Sequence, residues 1–205
     1  VQTLAGIAHY DRDQRHSYEE AFRVIRSMKL DYPQQEQLFR RMVFNVMSRN
    51  HDDHTKNFSF LMDKQGNWSL APAYDLCYSY TPGGKWTNRH QLSLNGKQDN
   101  FTYEDLVNVA ENMGIRNGKH IIEQIRETVA HWKDYAKKGG VKEEHSKTIN
   151  DNLLLLSSKT VSMPDIQEQT FLKAIETEDF TKIMAIKEDG YKPSEAVLKH
   201  IAETI

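Results

Sequence analysis

The sequence predicts a mainly α fold with one small β-hairpin, and three stretches carry that reading. Ser17-Tyr18-Glu19-Glu20 is a capping box, a hydroxyl and a later carboxylate that satisfy the first backbone donors of a helix. Pro33 suits a first helical position, and Leu38, Phe39, Met42, Val43, Val46 and Met47 follow at core spacing, predicting a long helix to about Asn50. Asn57 to Met62 and Trp68 to Ala71 read as two short strands around Asp63-Lys64-Gln65-Gly66-Asn67, a run of turn formers.

The other elements follow in order. Ala21, Phe22, Val24, Ile25 and Met28 give the capped helix an apolar face. Residues 78–101 read as an irregular loop from Thr81-Pro82-Gly83-Gly84 through Asn95-Gly96, with a short strand over Gln91-Leu92-Ser93-Leu94. Thr102-Tyr103-Glu104-Asp105 caps a helix that Gly114 ends. A second helix is expected from about Gly118 to Lys138, with Ile121, Ile122, Ile125, Val129, Trp132 and Tyr135 inward. Lys133, Lys137 and Lys138 fall in its last turns, where the helix dipole favours cations. A third helix spans roughly Lys142 to Leu156, after which 157–164 reads as a linker. Residues 165–205 suggest short amphipathic helices with a turn at Gly190 and a start at Pro193, loosely similar to half of an ankyrin-type repeat. One such unit cannot bury its own apolar face and is expected to dock on the main domain or a partner.

Composition excludes several classes. Twenty-seven basic against 29 acidic residues leave a net charge of −2, with no global pull towards nucleic acid or membrane. The single cysteine, Cys77, rules out an internal disulfide and fits a reducing cytoplasm, its side chain being expected small and partly buried. The densest apolar run, Leu153 to Leu156, is far too short to span a bilayer, and no signal-peptide pattern opens the chain. A cytoplasmic protein is expected.

The chemistry lies in Asn50-His51-Asp52-Asp53-His54-Thr55-Lys56-Asn57 and Ala71-Pro72-Ala73-Tyr74-Asp75. Asp52 and Asn57 are five positions apart, and Asp75 follows the hairpin. Phosphoryl transfer from Mg-ATP uses that order: a carboxylate to take the acceptor proton, then an amide and a carboxylate to hold metal against phosphate. The hairpin would bring Asn57 and Asp75 together, and oxygen ligands of this kind suit Mg²⁺ better than Zn²⁺. Lys56 and His54 lie on the same loop and could meet the phosphate, or serve only as a solvated lysine and a locally bonded histidine.

His-Asp-Asp-His-Thr-Lys-Asn-Phe-Ser-Phe, followed by Leu-Ala-Pro-Ala-Tyr-Asp-Leu, resembles the catalytic and metal-binding segments of the HipA family, bacterial serine/threonine kinases that act as toxins of toxin–antitoxin systems. The resemblance covers residues 1–156 and implies the C-terminal lobe of a kinase-like fold. It implies that Asp52 is the catalytic base and that Asn57 and Asp75 bind Mg²⁺. It also implies that His54, Thr55, Lys56 and Asn57, with Tyr74, Asp75, Leu76 and Cys77, contact ATP. The implied partners are a protein substrate such as an aminoacyl-tRNA synthetase and an antitoxin repressor, through which alone DNA would be met. The family commonly has a small residue where Asp53 stands, which leaves Asp52 and Asp53 as rival bases, the step to Asn57 favouring Asp52.

A kinase also needs an N-terminal lobe with a phosphate-covering loop. Asp52 lies close to the start, and no Gly-x-Gly-x-x-Gly or Gly-Lys-Ser/Thr signature occurs, so this chain is expected to lack that lobe and to hold ATP poorly alone. Trp86, Arg89 and His90, on the loop after Asp75, are expected to face substrate or partner. Two other readings stand beside the kinase: a non-catalytic fragment that pairs with an antitoxin or a separate N-lobe, and a metal hydrolase built on His51-Asp52-Asp53-His54. Adjacent residues rarely ligate one ion together, which weighs against the hydrolase.

Overall fold

A computed structural model describes residues 1–9 and 15–158. The first of two compact units runs Val1–Ser158. The helical appendage expected over 165–205, and all but the first two residues of the expected linker, lie outside the described residues.

The unit is mostly helical with a small three-stranded antiparallel sheet. In chain order come β1 (Gln2–Thr3), α1 (Leu4–Ile7), α2 (Tyr18–Ser27), α3 (Tyr32–Met47), a 3₁₀ turn (Thr55–Asn57), β2 (Ser59–Met62) and β3 (Trp68–Leu70). Four helices follow: α4 (Tyr103–Asn112), α5 (Gly118–Ala130), α6 (Trp132–Lys138) and α7 (Glu143–Asn152). The expected hairpin forms in the register Phe60 to Leu70, and β1 adds a third strand on its far edge.

Local chemistry explains most boundaries. The Ser17–Glu20 capping box closes reciprocally at the start of α2, and Thr102 with Asp105 does the same for α4. Helix α3 is the central support. Leu38, Phe39, Met42, Val43, Val46 and Met47 are all buried, packing on Tyr18, Phe22 and Ile25 of α2 and on Ile121 and Ile122 of α5 within one apolar core.

Helix α3 stops at Met47 because Arg49 takes a left-handed conformation, φ 59°, and the Asn50 amide donates back to the Asn45 carbonyl at 2.9 Å. Arginine is an unusual residue there, since its Cβ disfavours that region. Three contacts hold it: its guanidinium lies over the Tyr80 ring, approaches Asp99 and donates from Nε to the Asn152 carbonyl at 2.9 Å.

Four expectations are corrected. The helix expected over 118–138 is two, because the chain bends at His131 and α6 turns to pack on α7, where the Trp132 indole donates to the Ser146 carbonyl at 2.9 Å. Tyr135, expected inward, is consequently 53% exposed. The helix expected to reach Leu156 ends at Asn152; Leu153 is extended and the Leu154 amide caps the Met47 carbonyl at the end of α3. No regular strand forms over 91–94. Ser93 makes a single parallel bridge to Ser17, and Leu94 pairs with Lys97 across the Asn95-Gly96 turn. Among the described residues, no helix is long and apolar enough to cross a membrane.

Gly118, at the start of α5, permits the close approach of α4. A Cβ there would overlap the Ala110 Cβ. Gly118→Ala is therefore expected to destabilise the unit by about 1–3 kcal/mol through overpacking, although alanine is the better helix former. An unchanged denaturant midpoint would contradict this packing argument.

Candidate active site

The loop leaving α3 carries two adjacent carboxylates with opposite environments. Asp53 has no exposed surface. Its Oδ2 accepts from the Tyr18 hydroxyl at 2.6 Å and from His90 Nδ1 at 2.8 Å. Its Oδ1 accepts from the backbone amides of Gln91 at 2.8 Å and Leu92 at 3.3 Å. Four donors fill the acceptor sites of one carboxylate, so Asp53 is spent on structure. The Asp52 side chain is 45% exposed, its Oδ1 standing 3.9 Å from His54 Nε2. Of the two rivals, Asp52 alone can reach an incoming hydroxyl.

Asn57 ends the 3₁₀ turn instead of opening β2, which leaves its side chain free of the sheet. Its Nδ2 donates both to the Asp52 carbonyl and to Asp75 Oδ2, each at 2.9 Å. One amide thus ties together the three predicted positions, joining Asp52 through its backbone and Asp75 through its carboxylate. Asp75 is left-handed, φ 54°, and its carbonyl accepts from Asn50 Nδ2 at 3.1 Å. The Tyr74 hydroxyl donates to the Lys56 carbonyl and pairs with Ser59 Oγ, which clamps the segment after β3 onto the turn.

The other predicted contacts divide. Lys56 is exposed, and Thr55 and His54 are half-buried on the same turn. Leu76 lines a cavity of about 10 Å³ with Asn57 and Asp75, and Arg41 and Asn50 lie on its walls. Arg41 donates from Nη2 to the Ala71 carbonyl at 2.6 Å, while Arg41 Nη1 and Asn50 Oδ1 have no hydrogen-bond partner among the described residues. Cys77, expected partly buried, is exposed and does not line that cavity. It lines a separate apolar cleft of about 240 Å³ with Phe44, Trp132 and Tyr135.

Two further readings change. His90 does not face a partner: it is buried on Asp53 and stacks on His51 at 4.2 Å between ring centroids. Trp86 (68% exposed) and Arg89 do remain on the surface. The hydrolase cluster does not form, because Asp53 is consumed by Tyr18 and His90 while Asp52 faces the other way, towards His54. Among the described residues no three His, Cys, Asp or Glu side chains group around a metal position.

Sequence reasoning missed Tyr18, Asn45 and Arg41 as parts of this site and gave Asn50, which opens the motif, no role. Asn45 and Arg41 are polar residues inside the buried stretch of α3, which was the available signal. The Asn57–Asp75 contact, in a chain with this motif order, sets the context for comparison. The family model of the HipA-like C-terminal domain matches residues 1–132.

The chain belongs to the HipA-like C-terminal domain family. A Haemophilus influenzae protein named "Putative kinase" is 27% identical over 136 residues, an alignment covering 58% of this chain and 39% of that protein. The chain thus spans well under half the length of that relative. The mostly helical unit with its small sheet is consistent with a HipA-like C-terminal domain, and the site described here lies wholly within the matched residues.

His51 is fully buried, and neither ring nitrogen has a partner among the described residues. Burial, then the neighbouring His90 ring and Arg49, lower its pKa to about 4 from an ordinary 6.5. The unfolded chain therefore binds a proton below about pH 6.5 that the folded chain refuses until about pH 4. Stability from this group is complete above 6.5 and is lost on acidification towards 4, by on the order of 3 kcal/mol. Denaturant midpoints measured from pH 7 to 4.5 should fall less steeply in His51→Phe than in wild type. Parallel declines would show that His51 does not titrate as its burial requires.

Proposed function

We propose that this chain is the catalytic segment of a HipA-type, ATP-dependent serine/threonine protein kinase of the cytoplasm, its unit a kinase-like C-terminal lobe. The observation that carries the reading is the double contact of Asn57 Nδ2 with the Asp52 carbonyl and the Asp75 carboxylate. It spends both amide hydrogens and leaves Asn57 Oδ1 with no hydrogen bond among the described residues. Asp75 is likewise exposed, with only Oδ2 engaged. An amide oxygen and a carboxylate oxygen side by side are hard donors, which fits Mg²⁺.

Asn57 and Asp75 would hold the Mg²⁺ of Mg-ATP. When bound, that ion neutralises charge on the phosphates. Asp52, exposed beside them, accepts the proton of the acceptor hydroxyl as its oxygen bonds to the γ-phosphorus and ADP departs. Lys56 and His54 supply nearby positive or hydrogen-bonding groups, and Thr55, Tyr74, Leu76 and Cys77 would border the nucleotide. Cys77 is the weakest of these, since it lines the apolar cleft. Family resemblance supplies the physiological setting: a translation protein such as an aminoacyl-tRNA synthetase as acceptor, growth arrest as outcome, and an antitoxin repressor as the partner through which DNA is met.

A binding role without catalysis is the second reading, in which the chain pairs with an antitoxin or a separate N-lobe. The exposed Trp86, with the Lys85 ammonium 4.9 Å from its ring centre, favours a contact surface on the loop after Asp75. Phosphate transfer by the full-length parent separates the two. Asp52→Ala and Asp75→Ala are each expected to lower transfer by at least about 10²–10³-fold while the protein remains folded. Equal transfer by wild type and both variants would overturn the catalytic reading and leave the binding one.

A further inference from the structure

Beneath the exposed carboxylates runs a buried polar chain that neither the motif nor the family match assigns. Asn50 Nδ2 donates to the Asp75 carbonyl at 3.1 Å and to Asn45 Oδ1 at 3.0 Å. Asn45 Nδ2 donates to the Tyr18 hydroxyl oxygen at 3.0 Å, and that hydroxyl donates to Asp53 Oδ2 at 2.6 Å. Tyr18, Asn45, Asn50 and Asp53 are each at most 2% exposed. From Asn50 to Asp53 every donor points the same way, ending on a carboxylate cut off from water.

We propose that Tyr18, Asn45 and Asn50 are positioning residues that set the separation of Asp52 and Asp75 by tying the Asp53 carboxylate to the Asp75 backbone. This rests on the kinase reading above. Asp53 is the neighbour of Asp52, so fixing its side chain at four donors fixes the peptide that carries the base. Asp75 sits in left-handed backbone, which persists only where its surroundings over-determine it. Its carbonyl bond to Asn50 is part of that restraint. The exposed Asn57–Asp75 contact alone would compete with water, whereas the bonds among Asn50, Asn45, Tyr18 and Asp53 lie in a low-dielectric interior, where they polarise and strengthen one another. Burial and the adjacent Asp53 charge push the Tyr18 hydroxyl well above its ordinary pKa, so it stays a donor throughout the neutral range. A network serving stability alone has no reason to end on the carbonyl of the predicted metal residue.

The test uses the full-length parent and measures kcat, KM for ATP and the Mg²⁺ concentration for half-maximal phosphate transfer. Variants are Tyr18→Phe, which keeps the ring and deletes the hydroxyl, Asn50→Ala, and Asp75→Ala as reference. All are assayed well below their melting temperatures, with folding checked by circular dichroism. Tyr18→Phe and Asn50→Ala are expected to lose roughly 10- to 100-fold in kcat and to need more Mg²⁺, since displacements of about an ångström cost that much. If Asp75→Ala abolishes transfer while Tyr18→Phe lowers only the melting temperature, leaving kcat and the Mg²⁺ dependence within twofold of wild type, the positioning role is wrong. Should Asn50→Ala fail to fold, Tyr18→Phe still decides. Undiminished transfer by Asp75→Ala instead refutes the kinase reading, and the positioning role with it.

Discussion

A carboxylate cut off from water organises this molecule. Asp53 lies among the first turn of α2, the loop at 90–92 and the turn that follows α3, and each of these sends it at least one donor or supplies its backbone. A buried charge without partners costs several kcal/mol, so a conformation that withdrew any of these donors would be strongly disfavoured. The strength of the constraint comes from that asymmetry. The bonds themselves contribute modestly, but leaving one unmade is expensive. Three segments that are remote in sequence are thereby held to one point, directly beside the half-exposed Asp52.

The consequences appear in the backbone. Arg49 and Asp75 both occupy left-handed conformations without being glycine. Arg49 ends α3 and launches the loop; Asp75 follows the hairpin and closes it. Each conformation is disfavoured on its own and survives because its side chain or carbonyl is gripped from several directions: Arg49 by Tyr80, Asp99 and Asn152, Asp75 by Asn50 and Asn57. Two of the left-handed non-glycine residues thus flank the segment from the end of α3 to the end of the hairpin, which carries Asp52 and Asn57. The His51 and His90 rings meet over the same junction, 4.2 Å between centroids, and burial holds the His51 ring neutral well below its ordinary pKa.

The sequence made legible what local chemistry decides. Capping boxes at Ser17 and Thr102, the buried stripe of α3 and the turn formers at 63–67 each carry their own signal and need no distant partner. The meeting of Asn57 and Asp75 was legible too, because a hairpin returns the chain to where it began. What escaped depends on tertiary contact. Nothing near His131 predicts the bend between α5 and α6, since its cause is an indole reaching Ser146 on α7. His90 looked like a surface histidine because its partner, Asp53, lies 37 positions away. Asn45 and Asn50 could not be ranked above other asparagines until the Tyr18 hydroxyl and the Asp75 carbonyl were seen beside them.

Atoms at the site separate by how much of their hydrogen-bonding capacity is already used. Asn57 Nδ2, Asn50 Nδ2 and both oxygens of Asp53 are committed, and those atoms hold the geometry. Capacity remains on the Asp52 carboxylate, on Asn57 Oδ1 and on Asp75 Oδ1, in residues that are half-buried or exposed. A single asparagine, Asn57, spans both classes: its nitrogen fixes the scaffold and its oxygen has no hydrogen bond among the described residues. An aspartate at that position would lose the two donors and place a second negative charge against Asp75, and an alanine would lose both functions. One amide thus joins the Asp52 backbone to the Asp75 carboxylate, while Asp53, though adjacent to Asp52, is fully engaged in the interior.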